Sequence, residues 1–229
     1  EFTRNRFHYN WHWFWDYGCG DLGNDGIHQV DQARWGLGVG LPRAISASGG
    51  QLFYDDDHET PDTQIVTFEY ENCYLLYEMR LWTDYPLEGH DNGVIFYGDK
   101  GTLKASVFRY DYLPMAKGEQ PVRRDVAYEL EQYPEDKTEA RLERHVAPAI
   151  RYHMKDLVRC MATRGKPVPD VEEGHISTAS CILAHLSQQL GRSITWDAAR
   201  HQAVNDPEAN KLLRRPYRAP YVHPEPGRV

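Results

Sequence analysis

Between residues 64 and 110 the chain twice alternates, turns and returns. Gln64–Tyr70 sets Ile65, Thr67 and Glu69 against Val66, Phe68 and Tyr70; Glu71-Asn72 turns, and Tyr74–Trp82 runs back. Gly93–Tyr97, the turn Gly98-Asp99-Lys100-Gly101 and the return Thr102–Tyr110 repeat the device. Successive strand side chains face opposite ways, so alternation on both sides of a short polar turn predicts an antiparallel hairpin. Further strands are expected over Ala44–Gly49, Gln51–Tyr54 and Val122–Leu130. Downstream the period changes. Val146, Ile150, Met154, Leu157, Val158 and Met161 recur at helical spacing within Glu139–Arg164. Ile176, Ala179, Ile182, Leu183 and Leu186 do the same within Val171–Leu190, which Gly191 closes. Asp206-Pro207 opens a short last helix. Hairpins followed by helices predict an α+β fold: a large open, mainly antiparallel sheet with helices packed on one face. One domain is expected over residues 1–229, with an aromatic leading segment at 1–20 and a Pro-rich surface tail at 214–229.

Composition narrows the partners. A net charge of −8 opposes nucleic acid, which wants a basic face. No apolar run reaches membrane-spanning length. Cys19, Cys73, Cys160 and Cys181 lack C-x-x-C spacing, and no H-E-x-x-H pair occurs, so no metal is expected. Asp55, Asp56, Asp57 and Glu59 lack the spacing of a calcium loop and read as a solvated one. The chain opens Glu1-Phe2 without an initiator Met and meets its densest aromatic run at once. A fragment is therefore expected, with Glu1-Phe2 a cloning scar.

The chemistry concentrates in Gly18-Cys19-Gly20-Asp21-Leu22-Gly23-Asn24-Asp25-Gly26-Ile27-His28-Gln29-Val30-Asp31. Glycines allow a tight turn, and a helix from about Asn24 to Trp35 follows. Positions four and seven apart share a helix face, which groups Asn24, His28 and Asp31 as an acid/base station. Asp31 can equally pair with Arg34, three residues on. Gly18–Gly23 also fits the dinucleotide pattern G-x-G-x-x-G. That pattern works only after a buried strand, and Trp13-Phe14-Trp15-Asp16-Tyr17 offers none; Asp16 and Asp21 would repel phosphate. Upstream, Trp11, Trp13 and Trp15 alternate, so an extended backbone would align them to stack sugar rings or pack a core. Tyr17 and Asn10 are candidate pocket residues beside Trp13. His175, near a helix start, is expected at the surface.

The chain resembles the C-terminal domain of the Gfo/Idh/MocA oxidoreductases. That family carries G-G-G-x-L-x-D-x-G-x-H-x-x-D, and Gly18, Gly20, Leu22, Gly26, His28 and Asp31 match it. Asn10–Gly18, Glu59-Thr60-Pro61-Asp62-Thr63 and Gly98–Leu103 resemble one bacterial branch. The resemblance implies a catalytic His28, with Asn24 standing where relatives have Asp. An amide cannot accept the alcohol proton, so Asn24 is left to orient substrate or His28. Asp25 lies about 100° round the helix as a substrate contact. The resemblance further implies NAD or NADP in the full-length protein, held by a nucleotide domain with an E-K-P lysine. Neither segment has a counterpart here, so no cofactor is expected on this chain alone. It also implies a sugar or polyol substrate and a homodimer or homotetramer formed through the sheet face. Other members use transient oxidation to cleave glycosides, and a sugar-binding or assembly module is a third reading. Relatives of this branch are often exported, which leaves a cytoplasmic or periplasmic location open.

Overall fold

The computed structural model describes residues 3–83, 86, 88–89 and 92–225. Glu1-Phe2 and the last four residues of the tail lie outside them. The helices are α1 (Gly20–Asn24), α2 (Gly26–Leu37), α3 (Ala147–Thr163), α4 (Val171–Leu190) and α5 (Pro207–Leu212). The strands are β1 (Ala44–Gly50), β2 (Thr63–Glu69), β3 (Tyr74–Arg80), β4 (Val94–Gly98), β5 (Gly101–Ala105), β6 (Arg109–Pro114), β7 (Val122–Asp125), β8 (Ile194–Asp197) and β9 (Gln202–Ala203). The class is α+β with wholly antiparallel pairing, but the strands form two sheets rather than one, in the orders β3-β2-β1-β8-β9 and β4-β5-β6-β7. The described residues divide into two compact units: residues up to Ile27, Val39–Trp82 and those from Ser177 on; then His28–Gly38 with Thr83–Ile176.

In the first unit the alternation of β2 and β3 sorts the side chains. Gln64, Val66 and Phe68 face inward beside Leu75, Tyr77 and Met79, and all are buried. Ile65, Tyr74 and Leu76 face outward and are exposed. The α4 residues of this unit pack by small side chains. Ser177, Ser180, Cys181, Ala184 and Ser187 are buried with Leu183 and Leu186, while Ile182, expected inside, is exposed. Ser187 Oγ accepts the Ala47 N–H at 3.0 Å and donates to the Arg192 carbonyl at 2.8 Å, which draws the helix onto β1. The last helix opens as expected: Asp206 accepts the Ala209 N–H at 2.9 Å, and Pro207 fills the first turn.

The second unit holds the four-stranded meander. The expected strand Thr102–Tyr110 breaks between β5 and β6, where the Ser106 N–H turns to the Arg109 carbonyl. The expected helix Glu139–Arg164 starts only at Ala147, since Pro148 fits a first turn but not a helix interior. Arg151 of α3 stacks on Tyr133 at 3.9 Å and grips Asp136 and Glu129 with bonds of 2.7–3.1 Å. Its guanidinium holds the Asp136 carboxyl below its usual range.

Two further expectations fail. Gln51–Tyr54 is a loop, and β8 and β9 were not foreseen. The aromatic segment is not extended: His8–Trp13 is a 3-10 turn. Trp11, Trp13 and Trp15 therefore do not line one face. His12 and Phe14 are buried instead, with the Arg6 guanidinium 4.1 Å over the Phe14 ring.

Candidate active site

The glycine-rich turn is a packing device. A Cβ on Gly18 would lie 2.5 Å from the His12 Cα, and one on Gly20 2.7 Å from the Thr60 Cβ. One on Gly23 would meet the Cys19 sulfur at 2.1 Å, and one on Gly26 the Tyr77 hydroxyl at 2.4 Å. Only Gly20 also needs glycine for its backbone, at φ +68°. Each glycine is thus faced by protein, no strand precedes Gly18, and α1 has five residues. These residues do not fit a dinucleotide, whose pyrophosphate needs open glycines at the start of a longer helix. Gly26→Ala is expected to destabilise the protein by about 1–3 kcal/mol through overpacking. Tyr77→Phe should recover part of that loss, because it removes the obstructing oxygen; thermal melting of the two single variants and the double variant measures the coupling.

A second motif fixes the turn from outside. The Glu59 and Thr60 N–H groups donate to the Trp13 carbonyl at 2.9 and 3.3 Å. Glu59 accepts the Trp15 backbone N–H at 2.9 Å, and its carbonyl accepts the Trp15 indole at 3.0 Å. Asp62, fully buried, accepts from the backbone of Leu52, Phe53 and Tyr54 and, at 2.7 Å, from the Thr63 hydroxyl. Burial works against its charge, but these donors prevail and bring its carboxyl down to about 2. Glu59-Thr60-Pro61-Asp62-Thr63 is therefore a clamp between the aromatic segment and the acidic loop.

The expected helix from Asn24 to Trp35 begins earlier, at Gly20, breaks at Asp25 and ends at Leu37. Asn24 closes α1 and is half-buried; its Nδ2 donates to the Tyr9 hydroxyl at 2.7 Å. Asp25 sits in the break, exposed. His28 is exposed on the first turn of α2. Asn10 and Tyr17 are exposed and Trp13 half-buried in the aromatic segment. Asp31 pairs with the buried Arg34 at 3.7 Å, and Arg34 also reaches the Glu173 carboxylate at 3.1 Å. His175 is exposed. Tyr9, fifteen residues from its partner, could not be read from the sequence, because no periodicity links the two.

Titratable groups lie beside the turn. Burial, aided by the Asp25 charge, raises the Asp21 carboxyl to about 6. Burial lowers His185 to about 4, so its imidazole is neutral at pH 7; the ring meets Trp15 edge-on at 5.2 Å. Because Asp21 binds its proton more tightly in the folded state, it lowers stability as pH rises from about 4 through about 6. Asp21→Asn is expected to gain about 1–3 kcal/mol above that window and little below it, as melting at pH 4 and pH 8 would show.

Comparison with known proteins decides the family. The model described as the GFO/IDH/MocA C-terminal domain matches residues 1–104. A second, described as the oxidoreductase family C-terminal alpha/beta domain, matches residues 132–223. The chain belongs to the Gfo/Idh/MocA family. It corresponds to the C-terminal part of these oxidoreductases. None of the curated proteins matches it in sequence. Among solved structures, an Agrobacterium radiobacter oxidoreductase in complex with NAD+, L-tartaric acid and magnesium superposes with a TM-score of 0.59 at 15% identity, over 76% of this chain and 48% of that one. The Bordetella pertussis WlbA dehydrogenase, in complex with NADH and UDP-GlcNAcA, gives 0.54 at 18% identity, over 82% and 51%. At these identities the likeness establishes the fold, and this Gfo/Idh/MocA chain spans about half the length of those structures. No helix among the described residues is long and apolar enough to cross a membrane.

Proposed function

We propose that this chain is the substrate-binding and oligomerisation domain of an NAD(P)-dependent oxidoreductase acting on a sugar or polyol. The observation that carries the reading is the run Gly18–Asp31, inside the residues matched by the family model, with an exposed imidazole at His28. His28 is the acid/base group for the substrate hydroxyl. Asn24 orients the substrate, and Asp25, Asn10, Trp13 and Tyr17 contribute contacts. Hydride acceptance is the chemistry a nicotinamide supplies when held by another part of the protein. The Agrobacterium and Bordetella relatives, solved with a nicotinamide cofactor and a hydroxylated acid or sugar nucleotide, support this class.

Calorimetric titration of NAD+ and NADP+ tests the division of labour. The full-length protein is expected to bind one of them, and the 229-residue chain neither. Tight binding by the chain alone would contradict the reading.

The assembly role rests on a separate observation. The outward face of β2 and β3 exposes Ile65, Tyr74 and Leu76. These apolar side chains, set among Thr67, Glu69 and Glu78 on the same face, suit a second copy of that face about a two-fold axis. Leu76→Arg is expected to shift a dimer or tetramer at least tenfold toward smaller species in light scattering, and an unchanged mass would exclude this face.

A further inference from the structure

Tyr9 and Asn24 together present one donor and one acceptor. Asn24 Nδ2 donates to the Tyr9 hydroxyl oxygen at 2.7 Å, so that oxygen is already accepting. The phenolic O–H and Asn24 Oδ1 are left for partners other than each other, and Tyr9 is 64% exposed. His12 holds Tyr9 in place. Its Nδ1 contacts the Tyr9 carbonyl and its ring meets the phenol edge-on at 4.5 Å, while His12 itself is 2% exposed. The pair is thus fixed on its protein side and open to solvent on the other.

That residue 24 is an amide rather than a carboxylate has a physical consequence. An ionised carboxylate only accepts, so it would draw the tyrosine proton toward itself. An amide N–H instead supplies the phenol oxygen with a donor and turns the phenolic proton outward.

We infer that Tyr9 is a substrate-binding residue that, with Asn24 Oδ1, recognises two neighbouring hydroxyls of a polyol. One substrate hydroxyl donates to Oδ1; the next accepts from Tyr9. No proton is transferred in this contact. The inference rests on the reading of a sugar or polyol substrate, and it names the chemistry that selects it.

Saturation-transfer NMR on the full-length protein, with myo-inositol as the probe and its hexa-O-methyl ether as the control, tests it. Wild type should show saturation transfer to myo-inositol and little to the ether, which cannot donate to Oδ1. Tyr9→Phe should weaken inositol binding about 3- to 10-fold, the worth of one neutral hydrogen bond, while still unfolding in a single cooperative transition. Asn24→Asp should cost as much by redirecting the phenolic proton, and adding Tyr9→Phe to it should cost little more. Absence of saturation transfer in wild type, equal binding of the ether, or unchanged affinity in Tyr9→Phe would overturn the inference. His28→Ala turnover separates the two claims. If His28→Ala abolishes turnover while Tyr9→Phe binds like wild type, only this inference falls. If Tyr9→Phe weakens binding while turnover ignores His28, the acid/base assignment falls instead.

Discussion

Replacing His28 by alanine in the full-length protein is expected to reduce turnover about 10²- to 10⁴-fold, the usual worth of a positioned acid/base group. The proposed reaction needs a proton removed from a substrate hydroxyl, and Asn24 cannot take it. Imidazole can both accept and return that proton. Since His28 is exposed, its removal leaves no cavity, and the variant should melt within about 0.5 kcal/mol of wild type. The loss should fall on kcat more than on KM, because a proton acceptor acts chiefly in the transition state. Steady-state kinetics beside a thermal melt separates this outcome from misfolding, and full turnover in a folded variant would remove His28 from the chemistry.

Asp62→Ala should be strongly destabilising. It strips the acceptor from three backbone N–H groups and the Thr63 hydroxyl at a fully buried position. Hydrogen bonds to a charged acceptor are individually strong and buried orphan donors are costly, so a loss of about 2–4 kcal/mol is expected in chemical denaturation. The pH signature is specific. The folded carboxyl lies at about 2, below the ordinary aspartate value of about 3.9. Its stabilisation is therefore fully present above the unfolded value and lost as pH falls through about 2. Wild type should lose more stability than Asp62→Ala between pH 4 and pH 2; equal losses would show that Asp62 is not the group responsible.

Strong periodicity carried most of the fold. The β2–β3 hairpin and the α4 helix stand within about two residues of their expected bounds, because alternation and helical spacing there were unbroken. Where side chains chose between neighbours, pattern failed. Ile182 looked like core, but the helix bonds β1 through Ser187 and buries further serines, which hydropathy places outside. The aromatic segment alternated like a strand, yet His12 and Phe14 are its buried residues and the tryptophans are not. In the candidate site the glycines were visible, but not their purpose. Their partners His12, Thr60 and Tyr77 are distant in sequence or unpatterned, so only the fold shows what each missing side chain makes room for. Asp62 was legible only as part of a family phrase, since a carboxylate caged by backbone looks in sequence like any loop acid.

Oxidation of a polyol with cofactor stoichiometry is the most direct test of the proposed chemistry. In the full-length protein supplied with NAD+ or NADP+ and a panel of sugars and polyols, each substrate molecule oxidised should yield one molecule of reduced cofactor. Release of sugar from a glycoside without net accumulation of reduced cofactor would contradict the assignment and indicate glycosidase chemistry instead.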